Sequence, residues 1–191
     1  MIKAHNITLG YNENIVPIKN FSFDFLHGVY YIRGISGSGK STLLLGLAGL
    51  MTPVSGRIEM GSEKIAMVFQ ESRLVTTYSA EQNLSLVCSS GDEIKDALSK
   101  VELSEFAKKP VCKLSGGQAR RVAIARALCY GGDCIIMDEP FEGLDAALRK
   151  RIAVHIRTRF PLIIIASHDE QDAKLLSEDG ELTEIFLDDK N

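Results

Sequence analysis

The stretch GISGSGKST, Gly34 to Thr42, lies between an apolar run, VYYIRGI, and a run of helical character, KSTLLLGLAGLM. Glycines at this density let backbone N–H groups turn inward around a phosphate, and the helix that follows adds the positive end of its dipole. The spacing G-x-x-x-x-G-K-[ST], met by Gly34, Gly39, Lys40 and Ser41, gives two side chains defined tasks. The lysine reaches the outer phosphates and the hydroxyl holds a magnesium ion. A strand that ends in such a loop and a helix that leaves it point to an α/β sheet with the loop at the carboxyl edge of its strands.

The rest of the chain repeats that alternation. IKAHNITL and NFSFDF alternate as half-buried strands, the second as an antiparallel one, and GRIEM and KIAMVFQ read as further strands. Two continuous apolar runs, CIIMDEP and PLIIIASHD, suit strands buried on both faces, and SGGQARRVAIARALCY and DAALRKRIAVHIRTRF are helical by spacing. Between residues 79 and 114 the pattern changes to short charged helical pieces, which predicts a separate helical lobe. The expected fold is a mainly parallel sheet with helices on both faces, an N-terminal antiparallel β subdomain and the inserted lobe. The acidic terminal segment SEDGELTEIFLDDKN reads as a solvated edge or tail.

At 191 residues and 45% hydrophobic content the chain can bury one substantial core. A net charge of -3 counts against a protein that coats nucleic acid. No run approaches the roughly 18 to 20 apolar residues of a membrane span, and the N-terminus shows no secretory pattern, so a cytoplasmic address is expected. Cys88, Cys112, Cys129 and Cys134 lack zinc-site spacing and read as buried, inert thiols.

Two further groups carry chemistry. Asp138 and Glu139 stand at the end of CIIMDEP, where the aspartate can hold magnesium and the glutamate can deprotonate a water aimed at a γ-phosphate. LSGGQ, Leu114 to Gln118, opens a helix with Ser115 as cap and two glycines exposing N–H groups, a second candidate anion site.

With LSGGQ followed by ARRVAIARAL, the sequence resembles the ATP-binding-cassette ATPases over nearly its whole length. The resemblance implies the fold of a P-loop ATPase and a role for each matched residue. Gly34, Ser36, Gly37, Ser38, Gly39, Lys40, Ser41 and Thr42 match the Walker-A loop, and Tyr11 matches the aromatic residue that stacks on adenine. Gln70 matches the Q-loop glutamine that touches magnesium and the attacking water. Ser115, Gly116, Gly117 and Gln118 match the signature, which acts in trans on the nucleotide of a second cassette. Asp138 and Glu139 match the Walker-B acid and the catalytic glutamate, Asp145 the D-loop aspartate, and His168 the switch histidine.

The resemblance further implies ATP and Mg²⁺ as ligands and a head-to-tail homodimer closed by ATP. It also implies transmembrane permease subunits as partners, hence a peripheral place on the inner face of the cell membrane. The region around Gln70 looks more like that of an importer subunit, and the stretch ESRLVTTYSAEQNLSL, Glu71 to Leu86, lies where a permease would dock; its Leu74, Val75 and Tyr78 could be surface anchors or equally pack the lobe onto the core. In this reading residues 1–191 form one ATPase domain, with 1–78 and 115–191 as catalytic core and 79–114 as lobe. The chain is shorter than most family members, so part of their C-terminal helices is expected to be lacking. A cassette with a mechanical or regulatory role, and a small-molecule kinase, remain as alternatives.

Overall fold

The computed structural model describes residues 1–12, 14–61, 64–177 and 182–187. In chain order the elements are β1 (Ile2–Leu9), β2 (Ile18–Phe25), β3 (Gly28–Arg33), α1 (Lys40–Leu47), β4 (Ser55–Met60), β5 (Ile65–Val68), α2 (Ala80–Ser85), α3 (Gly91–Lys100), α4 (Gly116–Tyr130), β6 (Cys134–Asp138), α5 (Ala146–Arg159), β7 (Leu162–Ala166), α6 (Glu170–Leu176) and β8 (Leu182–Phe186). Two 3-10 turns, Ser104–Phe106 and Val111–Lys113, lead from α3 to α4.

The main sheet is wholly parallel, in the order β5-β6-β7-β3-β8. Every residue of β6 and β7 is buried, which is why both appear in the sequence as unbroken apolar runs. Their side chains alternate between two cores. Val29, Tyr31, Ile135, Met137, Ile163 and Ile165 face α2 to α6. Tyr30, Ile32, Cys134, Ile136, Leu162 and Ile164 face α1 and the small sheet. That small sheet is antiparallel, with β1 between β2 and β4.

The helical lobe is present as expected, and its apolar residues Leu84, Leu98, Val101 and Leu103 join the core that contains Ile135 and Met137. Leu74 also packs against that core, whereas Val75 and Tyr78 remain about 40% exposed. Among the described residues no helix is long and apolar enough to cross a membrane.

Three features differ from the sequence reading. LTEIF, read as a solvated edge or tail, forms β8, an edge strand parallel to β3, held in part by the ion pair of Glu184 with Arg33 at 2.9 Å. The remainder of that acidic segment, residues 178–181 and 188–191, lies outside the described residues. EQDAKLL forms α6, a seven-residue helix not foreseen. The cysteines are not uniformly buried: Cys134 is, Cys88 and Cys129 are half-buried, and Cys112 is exposed. Cys112 sits in a 3-10 turn that points its neighbour Val111 inward and leaves the thiol outside.

Candidate active site

The loop between β3 and α1 sits at the carboxyl edge of the parallel sheet. Gly39, at φ 93°, caps α1 in the left-handed region that glycine enters without strain. Ser36, Gly37, Gly39, Lys40, Ser41 and Thr42 line a cavity of about 290 Å³ together with Tyr11, Pro17, Gln70, Asp138, Glu139 and His168. Lys40 Nζ donates to the carbonyls of Gly34 at 2.8 Å and Ile35 at 2.9 Å, so the loop holds its own cation over the cradle. The Thr42 hydroxyl donates to the Tyr11 oxygen at 3.2 Å and ties the exposed tyrosine to the cavity rim.

Gly34 and Ser38 stand behind the cradle rather than on its wall. A Cβ on Gly34 would lie 2.3 Å from Ser38 Oγ and 2.7 Å from the Leu187 carbonyl, so no larger residue fits the turn. Ser38 is 5% exposed, and its Oγ has no hydrogen-bond partner.

The two acids follow β6. Asp138 is buried, and burial raises its pKa against the opposing pull of the Ser41 hydroxyl and of Lys40. Glu139 has φ 46°, a left-handed conformation that costs a non-glycine residue about 1–2 kcal/mol. Its N–H donates to the Ala166 carbonyl at 2.9 Å, which holds the strained turn against β7. Oε2 accepts the His168 N–H at 3.2 Å, and Oε1 lies 3.6 Å from His168 Nε2, buried and without a hydrogen-bond partner. Burial raises the Glu139 pKa, ahead of the opposing effect of the His168 N–H. A carboxylate whose proton affinity is raised in this way is better matched to taking a proton near neutral pH.

Gln70 is positioned by a residue that the sequence reading did not single out. Arg120, 7% exposed, donates to the Phe69 carbonyl at 2.6 Å and to the Gln70 carbonyl, with Glu142 at 3.8 Å. Burial lowers its pKa, yet its forked donors meet two adjacent carbonyls at once. Arg126 does the same six residues later, donating to the carbonyls of Arg73 at 2.9 Å and Ser72 at 3.3 Å. A signal for Arg120 was present in the sequence: it shares a helix face with Ala123, Ile124 and Ala127, all buried, where a charge must have a partner.

Ser115 caps α4 in a reciprocal box, its Oγ accepting the Gln118 N–H at 3.2 Å and its own N–H donating to Gln118 Oε1 at 3.0 Å. Ser115 and Gly116 are exposed, and Gly117 packs so close to Gly143 that a Cβ would lie 3.1 Å from that carbonyl. Asp145 caps α5 by accepting the Leu148 N–H at 2.9 Å. None of Ser115, Gly116, Gly117, Gln118 and Asp145 lines the cavity. The chain thus carries a phosphate cradle with its acids on one wall and, apart from it, an open helix start of signature sequence.

In sequence and in fold the chain is similar to known proteins. The family model for "ABC transporter" matches residues 18–142. The chain belongs to the ABC transporter family. It is 38% identical over 183 residues to the "Aliphatic sulfonates import ATP-binding protein SsuB 3" of Nocardia farcinica, covering 88% of this chain and 74% of that protein. It is 33% identical over 186 residues to the "Aliphatic sulfonates import ATP-binding protein SsuB" of Granulibacter bethesdensis, covering 93% and 77%. Its fold matches the dimeric structure of the ATP-binding cassette MJ0796 bound to ADP and Pi with a TM-score of 0.87 at 29% identity, covering 99% of this chain and 95% of that one. The chain is an ABC ATPase, the ATP-binding cassette that hydrolyses ATP to drive transport.

Proposed function

We propose that this cassette works as one of two identical copies that close head to tail around ATP, each cradle completed by the signature of the other. The observation that carries this reading is the separation within one chain of the acid-lined cavity from the exposed Ser115 and Gly116. Twofold symmetry brings the same surface to both sites, so a second copy suffices. Ser115, Gly116, Gly117 and Gln118 then offer helix-start N–H groups to a γ-phosphate held by the partner's cradle. Asp145, beside the Gly117–Gly143 contact, lies where the two copies would sense each other.

In this scheme Tyr11 stacks on adenine, and the N–H groups of Gly34 to Thr42 surround the phosphates. Lys40 exchanges its two loop carbonyls for phosphate oxygens. Glu139 takes the proton of the attacking water, Gln70 orients that water, and His168 contacts the γ-phosphate. The Ser41 hydroxyl, the Asp138 carboxylate and the Gln70 amide oxygen make an all-oxygen donor set that suits Mg²⁺. When bound, that ion supplies charge neutralisation at the phosphates.

We assign residues 1–191 to one ATPase domain whose lobe, 79–114, carries the docking surface for transmembrane permease subunits. A groove of about 330 Å³ between α2 and α3, with Ile94 and Leu98 at its base and Glu81, Gln82 and Lys95 at its edges, offers a place for a short permease helix. Val75 and Tyr78 stand exposed beside the Gln70 loop. The two relatives are named as import proteins, which supports import as the direction and a peripheral site on the cytoplasmic face of the membrane.

Glu139→Gln tests the scheme. Removing the base should cut hydrolysis at least a hundredfold and trap the closed pair, so light scattering should give twice the 21.0 kDa mass of one chain with Mg-ATP and a single mass without it. A variant that binds ATP and stays monomeric at every concentration refutes closure by two copies alone.

A further inference from the structure

Behind Glu139, on the side away from the cavity, a second carboxylate competes for the same hydroxyl. Ser167 Oγ lies 2.8 Å from Asp172 Oδ2 and 3.2 Å from Glu139 Oε2, and it accepts the Asp169 N–H at 3.1 Å. One hydroxyl carries one proton, so Ser167 serves one carboxylate at a time. Its backbone is held in place by the Tyr31 hydroxyl, which donates to the Ser167 carbonyl at 2.8 Å.

Asp172 is 3% exposed, and its other oxygen, Oδ1, accepts from Arg149 Nη1 at 3.0 Å. The same Nη1 donates to Asp169 Oδ2 at 2.8 Å, and Arg149 Nε donates to the Leu144 carbonyl at 2.9 Å. Leu144 sits between Gly143, which touches the signature, and Asp145, which caps α5. A line of polar contacts therefore runs from the loop Gly143–Asp145 through Arg149 and Asp172 to Ser167, whose one proton completes the last step to Glu139 only when it leaves Asp172.

We infer that Ser167 and Asp172 are positioning residues for Glu139, and that Arg149 couples their setting to the loop beside the signature. This rests on the reading of Glu139 as the base. In this structure the serine hydroxyl lies nearer Asp172, at 2.8 Å, than Glu139, at 3.2 Å; because Arg149 also satisfies Asp172, the hydroxyl can leave it and turn to fix the Glu139 carboxylate at the cavity wall. If movement of the loop draws Arg149 away, Asp172 keeps the serine proton, and Glu139 retains the His168 N–H alone. No proton changes owner; one hydroxyl rotates. The base is thereby held in place only when the loop is seated.

The test is steady-state Mg-ATP hydrolysis by the purified full chain, with ATP binding measured separately and Glu139→Gln as reference. Ser167→Ala should lower kcat about tenfold, the worth of one hydrogen bond to a charged group, with KM and ATP affinity within about twofold. Ser167→Thr, which keeps the hydroxyl, should restore the rate to within about threefold. Asp172→Asn should change kcat alone and add nothing in the Ser167→Ala background, because both act along one line. If Glu139→Gln abolishes turnover while Ser167→Ala leaves kcat unchanged, or if the two effects multiply independently, the coupling is overturned and the base assignment stands. If Glu139→Gln keeps turnover, both fall. Should Asp172→Asn fail to fold, the comparison of Ser167→Ala with Ser167→Thr decides.

Discussion

Replacing Arg120 by alanine would show what holds the Gln70 loop. The guanidinium reaches from α4 to the carbonyls of Phe69 and Gln70, 51 and 50 residues away in the chain. Each hydrogen bond to a charged group contributes about 1.5 kcal/mol at the low end of the usual range, so losing both removes about 3 kcal/mol. Part is returned because the charge no longer has to be buried, the cause of the lowered Arg120 pKa. A net loss of about 2 kcal/mol in a chain of this size lowers Tm by roughly 4–8 °C. Arg120 does not line the cavity that holds Lys40, Ser41 and Asp138, so ATP should still bind while kcat falls, because Gln70 loses its anchor. Arg120→Lys keeps the charge but not the fork and should fall between wild type and alanine. Melting followed by circular dichroism, beside a kcat and KM determination, reads both effects. A Tm change below about 1 °C with normal kcat would refute the claim that Arg120 sets the Gln70 loop.

Two further outcomes follow from the geometry. Tyr11→Ala should weaken ATP binding about tenfold in calorimetry and leave the melting of the nucleotide-free protein unchanged, because the ring is 58% exposed and held by one hydrogen bond to Thr42. Burial lifts the Cys134 thiol from its ordinary 9.0 to about 12, so iodoacetamide at pH 8 should label exposed Cys112 quickly and Cys134 only on unfolding. Because the folded pKa lies above the unfolded one, the stability tied to the neutral thiol is complete below pH 9.0 and lost as pH climbs toward about 12, a decline that Cys134→Ala should remove in melting curves across that range.

The parts of this fold that could be read in the sequence are those whose burial leaves a local trace. VYYI, CIIM and LIIIA are apolar throughout because both faces of their strands are covered, and NFSFDF alternates because β2 is an edge strand of a small sheet. β8 left no such trace, since LTEIF takes its place by pairing with β3 some 150 residues earlier and by the reach of Arg33 to Glu184. α6 is too short for a period to show, and its stability comes from Ala173 and Leu176 in the core. The same division holds in the active site. Most residues that line the cavity lie in short local motifs and could be named one by one. Arg120, Ser167 and Asp172 act through contacts between distant segments, and only folding places them beside Gln70 and Glu139.

The position of β3 between β7 and β8 bears on how the chain is made. The strand that leads into the phosphate cradle is translated early, yet both neighbours that pair with it come from residues 162 onward. At 5 to 20 residues per second, a ribosome needs roughly 6 to 26 s to pass from Arg33 to Leu162. Throughout that interval Tyr30, Tyr31 and Ile32 have neither ladder partner, and the sheet side of the nascent strand stays open to whatever else is nearby. A cell that makes this cassette must shield those few residues until most of the chain has emerged, so the nucleotide site is begun first and assembled last.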